Sequence, residues 1–439
     1  MYLFLHCTKI WKMEIIKKIW TCIMSLLLVA PSSVAQVQIA VVSDVHVMDP
    51  SLLREDGKAF SDYISQDRKM LRESTSLLSA FTDSILNSSV KYLLIPGDLT
   101  KDGELVSHRY LIDNCLSRLR NAGITVLVVP GNHDVNNPHA VAYDGDHTTR
   151  VATVSRSEFA QMYKDYGYGN AIARDTASLS YVYQLTPTLR VLALDATESD
   201  QNDFNKDICV TPGRLRPATL LFIKEQLANA KKQGVAVIGM MHHGLLQHWE
   251  YQNKMIPGYV IENSQPIASM MYKAGLRVML TGHSHAQDIT QYKGVYDVET
   301  GSLVSYPSPY RLITLQGDKM KITTHHINTI KGYSGNISFK DYSKSYETRG
   351  FNTFLQKVIP MQMPDSVRTK AIDFLSGMMI KNYAGDEKIT DAEEAQRIQI
   401  ANMIRKSYSF KWSIIFRRVS KAIGNDTAPA DNDFSIDIK

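Results

Sequence analysis

The pattern of hydrophobic and polar positions along the chain predicts strands and helices in alternation. Short β-branched runs between polar residues indicate buried strands, and longer stretches with apolar residues three or four positions apart indicate helices. Over its first 280 residues the chain has predicted strands at 37–42, 90–95, 125–129, 190–194, 235–240 and 277–280. The predicted helices lie at 67–87, 107–122, 217–233 and 264–274.

The order of these elements predicts the fold class. Strands that alternate with helices imply parallel sheet built from right-handed crossovers. Four short strands then follow one another without helices, at 289–292, 295–299, 311–315 and 320–325, and these imply a second, partly antiparallel sheet. We therefore expect an α/β protein, an αββα sandwich of two mixed β-sheets flanked by helices.

The sandwich is expected to cover residues 36–330, and the remainder forms separate segments. Helical patterns at 351–359, 364–381 and 391–407 predict a C-terminal helical extension over 331–424. Residues 425–439 are mostly polar, and we expect them to form a mobile tail.

The first 35 residues have the pattern of a secretory signal. A basic pair at 17–18 precedes an apolar run at 19–30, and small residues lead up to Ala35, after which we expect cleavage. A transmembrane helix needs about 20 apolar residues, and this run is shorter. We therefore expect a protein without a stable membrane span that is secreted or periplasmic after cleavage. A membrane anchor is the alternative, and Met13 is an alternative start.

Composition and charge narrow the function class. With 439 residues, 44% of them hydrophobic, the chain can bury a substantial core. Residues 1–35 hold four lysines and one glutamate, so the mature chain keeps 45 basic and 43 acidic residues and a net charge of +2. This balance gives no electrostatic basis for a nucleic-acid partner. Only Cys115 and Cys209 remain, and we expect two unpaired thiols rather than a disulfide.

Five short clusters of Asp, Asn and His carry the candidate chemistry. They are Asp44-Val45-His46, Gly97-Asp98, Gly131-Asn132-His133-Asp134, His242-His243 and Gly282-His283-Ser284-His285. Four of them directly follow a predicted strand, and ligands of parallel sheets bind at the carboxyl ends of strands. In extended backbone, residues two apart point to the same side, so a D-x-H or H-x-H segment can offer two donor atoms to one site.

The donor types predict divalent cations. Carboxylate, amide-oxygen and imidazole donors together suit ions such as Mn, Fe, Zn or Co. Asp98 stands alone in its loop and is the natural residue to bridge two ions. The glycines that precede the ligands allow the backbone to turn sharply away from each strand.

Together the five clusters resemble the calcineurin-like metallophosphoesterase family, whose signature is D-x-H, G-D, G-N-H-[DE], a His after a strand, and G-H-x-H. The resemblance covers residues 37–330. It looks closest to the cyclic-nucleotide and glycerophosphodiester phosphodiesterase branch, because Gly97-Asp98-Leu99-Thr100 precedes a helix and then Val129-Pro130-Gly131-Asn132-His133-Asp134. The resemblance implies two divalent metal ions at the strand ends and hydrolysis of a phosphate ester.

The resemblance also implies a role for each site residue. One metal ion would take Asp44, His46, Asp98 and His285, and the other would take Asp98, Asn132, His242 and His283. His242 is preferred to His243 because the family's ligand is the first imidazole after that strand. His133 would donate a proton to the leaving oxygen or stabilise the transition state, and Asp134 would orient it.

Two departures from related enzymes limit the substrate class. Lys101 stands where purple acid phosphatases carry a tyrosine that ligates ferric iron, so we expect no purple charge-transfer band. Residues 100–103 lack the arginine of Ser/Thr protein phosphatases, which argues against a phosphoprotein substrate. We expect a small-molecule phosphate ester, with a phosphodiester favoured. A phosphomonoesterase or nucleotidase, a nuclease, and a degenerate protein that only binds a phosphorylated ligand are the alternatives.

Overall fold

Two β-sheets that face each other form the centre of the protein. The structure is a computed structural model that describes residues 36–426 and 428–438. The predicted signal peptide lies outside the described residues, so its cleavage and the secretion that it implies stay predictions. Among the helices of the described residues, none is both long enough and apolar enough to cross a membrane. Residues from Val37 onward belong to one compact unit.

The strands of the described residues include all the predicted ones and several more. In chain order they are β1 (Val37–Val41), β2 (Leu53–Glu55), β3 (Tyr92–Pro96), β4 (Thr125–Val129), β5 (Val141–Asp144), β6 (His147–Arg150), β7 (Ala173–Arg174), β8 (Tyr181–Thr186), β9 (Leu189–Leu194), β10 (Ala236–Met241), β11 (Val278–Thr281), β12 (Asp288–Tyr292), β13 (Val295–Glu299), β14 (Pro309–Gln316), β15 (Lys319–His326) and β16 (Asp433–Asp437). The strands β2 and β5 to β8 lie in segments for which the sequence predicts no regular structure.

Both large sheets are mixed. The first has the order β16-β15-β14-β1-β3-β4, in which β1, β3 and β4 are parallel and the other strands are antiparallel to their neighbours. The second has the order β12-β13-β11-β10-β9-β8-β7, with four parallel strands at its centre and antiparallel strands at both edges. A small third sheet has the order β2-β5-β6.

The sequence predicts that the late strands form a sheet of their own. In the structure they instead divide between the two large sheets. β12 and β13 extend the second sheet, whereas β14 and β15 extend the first. β14 pairs with the outer edge of β1, which would otherwise present unpaired backbone groups.

Helices cover both outer faces of the two sheets. In chain order they are α1 (Lys58–Gln66), α2 (Ser74–Leu86), α3 (Leu105–Leu111), α4 (Ser117–Asn121), α5 (Arg156–Met162), α6 (Pro217–Gln233), α7 (Gln252–Met255), α8 (Ser264–Ala274), α9 (Phe339–Val358), α10 (Asp365–Ala384), α11 (Asp391–Ser407) and α12 (Phe410–Ile423). A π-helical turn at Ile112–Leu116 joins α3 to α4. Helices α2 to α4 pack on the first sheet, and α6 and α8 pack on the second. The predicted αββα sandwich is thereby confirmed.

Strand β9 shows why the central strands have few polar residues. Val191 and Ala193 lie in the core between the sheets, whereas Leu192 and Leu194 pack against the outer helices. Successive side chains of a strand point to opposite faces, so the part of a strand that is covered on both faces is apolar at successive positions, as Val191 to Leu194 are.

The C-terminal region differs from its prediction in two ways. Helix α9 begins at Phe339 rather than at 351, because the Ser338 side chain caps it by accepting a hydrogen bond from the backbone of Asp341. Helix α12 follows the three predicted helices and is missing from the prediction.

The expectation of a mobile polar tail is wrong for the residues that form β16. This strand pairs antiparallel with β15 and buries Ile436. The Asp431 carboxylate, just before it, accepts hydrogen bonds from the backbone of Ile289 and Asp386. One buried apolar residue among polar ones gives too weak a pattern to predict a strand from the sequence. The strand depends instead on its backbone pairing with β15.

Candidate metal centre

All five chemical clusters directly follow strands, and the two sheets contribute different parts of them. β1, β3 and β4 of the first sheet lead to the clusters that begin at Asp44, Gly97 and Gly131. β10 and β11 of the second sheet lead to the clusters at 242–243 and 282–285. The predicted convergence at the carboxyl ends of these strands is therefore confirmed.

Asp44, His46 and His285 form the first group of possible ligands. Asp44 Oδ1 lies 3.3 Å from His285 Nε2 and 3.8 Å from His46 Nε2. The two imidazole Nε2 atoms are 3.3 Å apart. All three residues can offer one ligand atom to a common point.

Asp98, His242 and His283 form the second group, with Asn132 beside them. His242 Nε2 lies 3.2 Å from Asp98 Oδ2 and 3.1 Å from Asn132 Oδ1. Every residue of this group is buried.

The carboxylate of Asp98 lies between the two groups. Its Oδ2 atom is 3.5 Å from His46 Nε2 of the first group and 3.2 Å from His242 Nε2 of the second. Its Oδ1 atom accepts a hydrogen bond from the backbone of His133. The position matches that of a carboxylate bridging two cations.

Several buried donor atoms of these groups have no hydrogen-bond partner within the protein, which is the condition that a cation would satisfy. Buried polar atoms are normally hydrogen-bonded, yet Asp44 Oδ1 and His283 Nε2 have no partner. The opposite ring nitrogens of His46 and His242 contact the carbonyl oxygens of Thr100 and Pro96. Such contacts orient an imidazole so that its Nε2 lone pair faces the ion. The donor set therefore fits two divalent cations.

The backbone at the ligands is left-handed rather than extended. The φ angle is positive at five predicted ligands, namely Asp44 (51°), His46 (40°), Asp98 (47°), His283 (78°) and His285 (65°). Such values are uncommon outside glycine and cluster at functional sites. The expectation that extended backbone aligns the D-x-H and H-x-H donors is therefore wrong, although the donors do converge.

Two glycines are required for close approach at this site. Gly97 has a φ of 87°, and a Cβ atom there would lie 2.6 Å from the His242 ring. A Cβ atom on Gly131 would lie 2.0 Å from Asp98 Oδ1. Any side chain at either position would displace a predicted ligand.

Charge and burial set the protonation of the ligands before any metal binds. Burial lowers the pKa of His46 and of His283 well below its ordinary value, which favours neutral rings. Burial acts in the same direction on His242, but the Asp98 carboxylate outweighs it and raises the pKa to about 9. Burial works to raise the pKa of Asp98, yet His242 and His133 lower it well below its usual range. A bound cation would replace the proton of His242.

The carboxylate that orients His133 is Asp102, and the expectation that Asp134 does so is wrong. His133 Nδ1 lies 2.8 Å from Asp102 Oδ1. Burial and Lys69 lower the pKa of His133, but Asp98 and Asp102 outweigh them, so the pKa is raised overall. The His133 side chain keeps 25% of its surface exposed, so its Nε2 is accessible from the cleft.

Asp134 instead holds the two neighbouring ligand loops together. Its carboxylate accepts hydrogen bonds from the backbone of Leu99, Thr100 and Gly131 and from the Thr100 hydroxyl. The residue is fully buried. Its four donors lie within the loops that carry Asp98 and Asn132, so it positions these ligands.

The structure separates the two adjacent histidines as predicted. His242 is directed at Asp98 and Asn132, as described above. His243 Nε2 contacts the Thr211 carbonyl oxygen instead, and burial lowers its pKa to about 4. Its ring packs against His283 at a centroid distance of 4.5 Å.

Two residues at the centre were not identified from the sequence. Lys69 is almost buried, with Nζ 3.3 Å from Asp67, and carboxylates including Asp67, Asp102 and Asp98 outweigh burial to raise its pKa. It lies in the loop before α2, within a segment that the sequence predicts as helix. The Tyr259 ring stacks near His283 at 4.6 Å. Neither residue belongs to a motif, and no local pattern could have indicated it.

Lys101 is buried among carboxylates, and the two cysteines are unpaired, as expected from the sequence. The buried Lys101 ammonium contacts Asp102 and lies 3.3 Å from Glu104, so it is occupied by neighbouring carboxylates. Cys115 and Cys209 are both free thiols. The absence of a purple charge-transfer band stays a prediction.

Comparisons with known proteins agree with the resemblance. The family model for calcineurin-like phosphoesterase matches residues 37–287, which is more than half of the chain. A dimetal phosphatase structure from Danio rerio is 15% identical and covers 66% of this chain and 96% of its own, with a TM-score of 0.48. A purple acid phosphatase structure from yellow lupin seeds is 12% identical and covers 66% of this chain and 52% of its own, with a TM-score of 0.43.

No curated protein sequence matches the chain at a significant level. The family assignment therefore rests on the match over residues 37–287 together with the two converging ligand groups. The chain belongs to the calcineurin-like phosphoesterase family and is a metal-dependent hydrolase of phosphate esters with a dinuclear centre.

Proposed function

We propose that the protein hydrolyses a phosphodiester of a small molecule outside the cytoplasm, with two divalent cations drawn from Mn, Fe and Zn. The observation that carries the proposal is the convergence of seven donor residues, with Asp98 between the two groups and the partly exposed His133 beside it. The order of motifs over 97–134 supports the diester preference, and the signal-like sequence at 1–35 supports the location.

The residues that would hold the cations form two sets that share one member. We assign Asp44, His46, Asp98 and His285 to one cation and Asp98, Asn132, His242 and His283 to the other. When bound, a pair of such cations neutralises charge on the phosphoryl oxygens and lowers the pKa of water, so that hydroxide is available near neutral pH.

The remaining chemistry falls to residues of the chain itself. Lys69 is a buried cation beside the centre, and its Nζ can contact a phosphoryl oxygen. In the reaction, the oxygen of water bonds to phosphorus and the bond from phosphorus to the alcohol oxygen breaks. His133 donates its Nε2 proton to that departing oxygen, and Asp102 holds the ring in place through Nδ1. The proton that the attacking water loses passes to solvent, and His133 takes one up again before the next turnover, so the protons balance.

A comparison of two esters tests this proposal. Metal-free protein is reconstituted separately with Mn, Fe or Zn and assayed on bis(4-nitrophenyl) phosphate and on 4-nitrophenyl phosphate. We expect the diester to have the larger kcat/KM, and two bound ions per chain by metal analysis. A larger value for the monoester would favour a phosphomonoesterase or nucleotidase.

An Asn132→Ala variant separates an enzyme from a protein that only binds phosphorylated ligands. Loss of the amide oxygen should reduce the bound metal and lower hydrolysis by at least about tenfold, since losing even a residue that only supports a metal ligand typically costs about 10–100-fold in metal affinity or activity. Asn328→Ala, at an exposed position, is the matched control. A variant that bound both ions and turned over as fast as the parent would contradict the assigned ligand set, and folded parent protein without activity on any ester would contradict the proposal as a whole.

A further inference from the structure

A cavity of about 140 Å³ borders the metal centre on the side of the C-terminal helices. Residues that line it include Arg68, Trp249, Tyr259, Ser284, Phe354 and Tyr383. Four of these six side chains are aromatic rings, which come from the segment between β10 and α8 or from helices α9 and α10. Trp249 is a partly buried residue packed against the apolar cluster among the C-terminal helices.

Three contacts connect this cavity with the predicted ligands. The Tyr259 ring stacks near the His283 ring at 4.6 Å. Ser284 lies between His283 and His285 in the chain. The Ser305 hydroxyl contacts the main-chain carbonyl of Arg68 and lies 3.3 Å from His285 Nδ1. A group bound in the cavity would therefore lie next to a phosphate at the metal centre.

The cavity adjoins a second one that is entirely apolar. The second has a volume of about 90 Å³, lies among α7, α9, α10, α11 and α12, and has no charged or polar residue in its lining. Both cavities are lined by Trp249, Ile256, Phe354, Met379 and Ile423. Polarity therefore falls with distance from the metal centre.

Arg68 is the one charged residue that lines the first cavity. Its guanidinium lies over the rings of Phe351 and Phe354, at 5.2 Å and 5.7 Å from their centroids. Its Nε atom is 3.7 Å from Glu347 and makes no hydrogen bond. An incompletely paired cation near the metal centre, with apolar walls beyond it, matches a ligand with an anionic head and an apolar tail.

We propose that the two cavities bind the apolar group of the substrate, and that this substrate is a phosphate ester with an alkyl chain. This rests on the proposed function and assigns a role to the C-terminal helices, which line most of the second cavity. An apolar cavity of about 150 Å³ takes a benzene ring, and these two adjoining cavities, of about 140 Å³ and about 90 Å³, have room for a chain of several carbons. Each buried methylene contributes about 0.8 kcal/mol, or about a fourfold gain in affinity.

The two tryptophans of the described residues make binding directly measurable. Trp249 and Trp412 both line the apolar cavity, and the other two tryptophans of the chain fall within residues 1–35. Octylphosphonate, whose P–C bond resists hydrolysis, should change the tryptophan emission saturably, in metal-loaded and in metal-free protein. Methylphosphonate should leave the emission unchanged. Equal responses to the two phosphonates would overturn the inference.

Hydrolysis of a series of alkyl esters provides the second test. The kcat/KM for methyl, butyl and octyl 4-nitrophenyl phosphate should rise with chain length, by up to about fourfold per buried methylene. Ile256→Trp, which fills the passage between the cavities, should reduce the ratio of octyl to methyl kcat/KM at least tenfold. Ile398→Trp, at an exposed position of α11 outside both cavities, is the matched control and should keep the parent ratio.

The outcomes distinguish this inference from the proposed function. Hydrolysis of the methyl ester without any gain from longer chains would overturn the inference and leave the proposed function in place. Saturable binding of octylphosphonate without hydrolysis of any ester would support the cavities as a ligand site and overturn the proposed function. An unchanged octyl-to-methyl ratio in folded Ile256→Trp protein would also count against the cavities.

Discussion

The pairing of His133 with Asp102 leads to a prediction about leaving groups. An alkyl alcohol is a poor leaving group and needs a proton as its bond to phosphorus breaks, whereas 4-nitrophenol leaves readily as an anion. If His133 supplies that proton, its replacement will harm hydrolysis of the alkyl ester far more than that of the nitrophenyl ester. The variants are His133→Gln, Asp102→Asn and Asp134→Asn.

The size of each effect follows from the contacts. A positioned general acid accelerates a reaction by about 10²–10⁴-fold. His133→Gln should therefore slow hydrolysis by this factor when the leaving group is an alkyl alcohol, and only slightly when it is 4-nitrophenol. The hydrogen bond from His133 to Asp102 is 2.8 Å long and involves a charged partner, which is worth about 1.5–3 kcal/mol. Asp102→Asn should therefore lower the rate of hydrolysis with the alkyl leaving group by about tenfold to a hundredfold. The loss should be near the lower figure because His133 is partly exposed.

Asp134→Asn should behave differently, because its contacts lie in the ligand loops. Its carboxylate accepts four hydrogen bonds, two on each oxygen, and the amide nitrogen that replaces one oxygen in Asn cannot accept the two made to that oxygen. We expect a lower free energy of unfolding and weaker metal binding. Its loss of activity should be the same for both leaving groups.

The assay measures kcat for the two leaving groups with each variant at saturating metal. Thermal unfolding is recorded alongside, because Asp102 also contacts the buried ammonium of Lys101. Equal losses for the two leaving groups in His133→Gln would refute the role of His133 as proton donor. A leaving-group effect in Asp134→Asn but not in Asp102→Asn would refute the assignment of Asp102.

Two further predictions concern metal binding and acid stability. His242→Ala should lose one of two bound ions by metal analysis, and His243→Ala should keep both; the reverse result would exchange their roles. Burial lowers the pKa of His108 from 6.5 to about 4, so the unfolded chain binds more protons between these pH values and the free energy of unfolding falls with falling pH. About 3 kcal/mol of the free energy of unfolding should be lost by pH 4, and His108→Gln should show a correspondingly smaller loss in urea unfolding. An unchanged pH dependence in this variant would contradict the lowered pKa of His108.

Much of the centre could be predicted because its ligands follow strands directly. A strand of β-branched residues is a local pattern, and the polar cluster after it marks the point where the chain leaves the sheet. The topology of parallel strands then brings these points to one edge. The predicted ligands Asp44, Asp98, Asn132, His242 and His285 therefore lie together in the structure, although they span most of the first 285 residues.

Residues that act from outside the motifs could not be predicted in this way. Asp134 follows His133 in the chain, yet its carboxylate accepts hydrogen bonds from the backbone of Leu99 and Thr100. The carboxylate that contacts the imidazole ring of His133 is that of Asp102. Lys69 reaches the centre from a loop before α2 that the sequence predicts as helix. Which side chain meets another across two loops depends on backbone angles that no local pattern encodes.

The amino-acid sequence alone indicated the family, the layered αββα architecture and the candidate metal ligands, because each depends on short segments whose chemistry is visible in one stretch of chain. Tertiary structure decided which carboxylate serves His133, where β16 pairs, and which cavities adjoin the centre. These features arise from contacts between segments far apart in sequence, such as Trp249 with helices α9 and α12. Their energies come from packing and hydrogen bonds that exist only after the chain has folded.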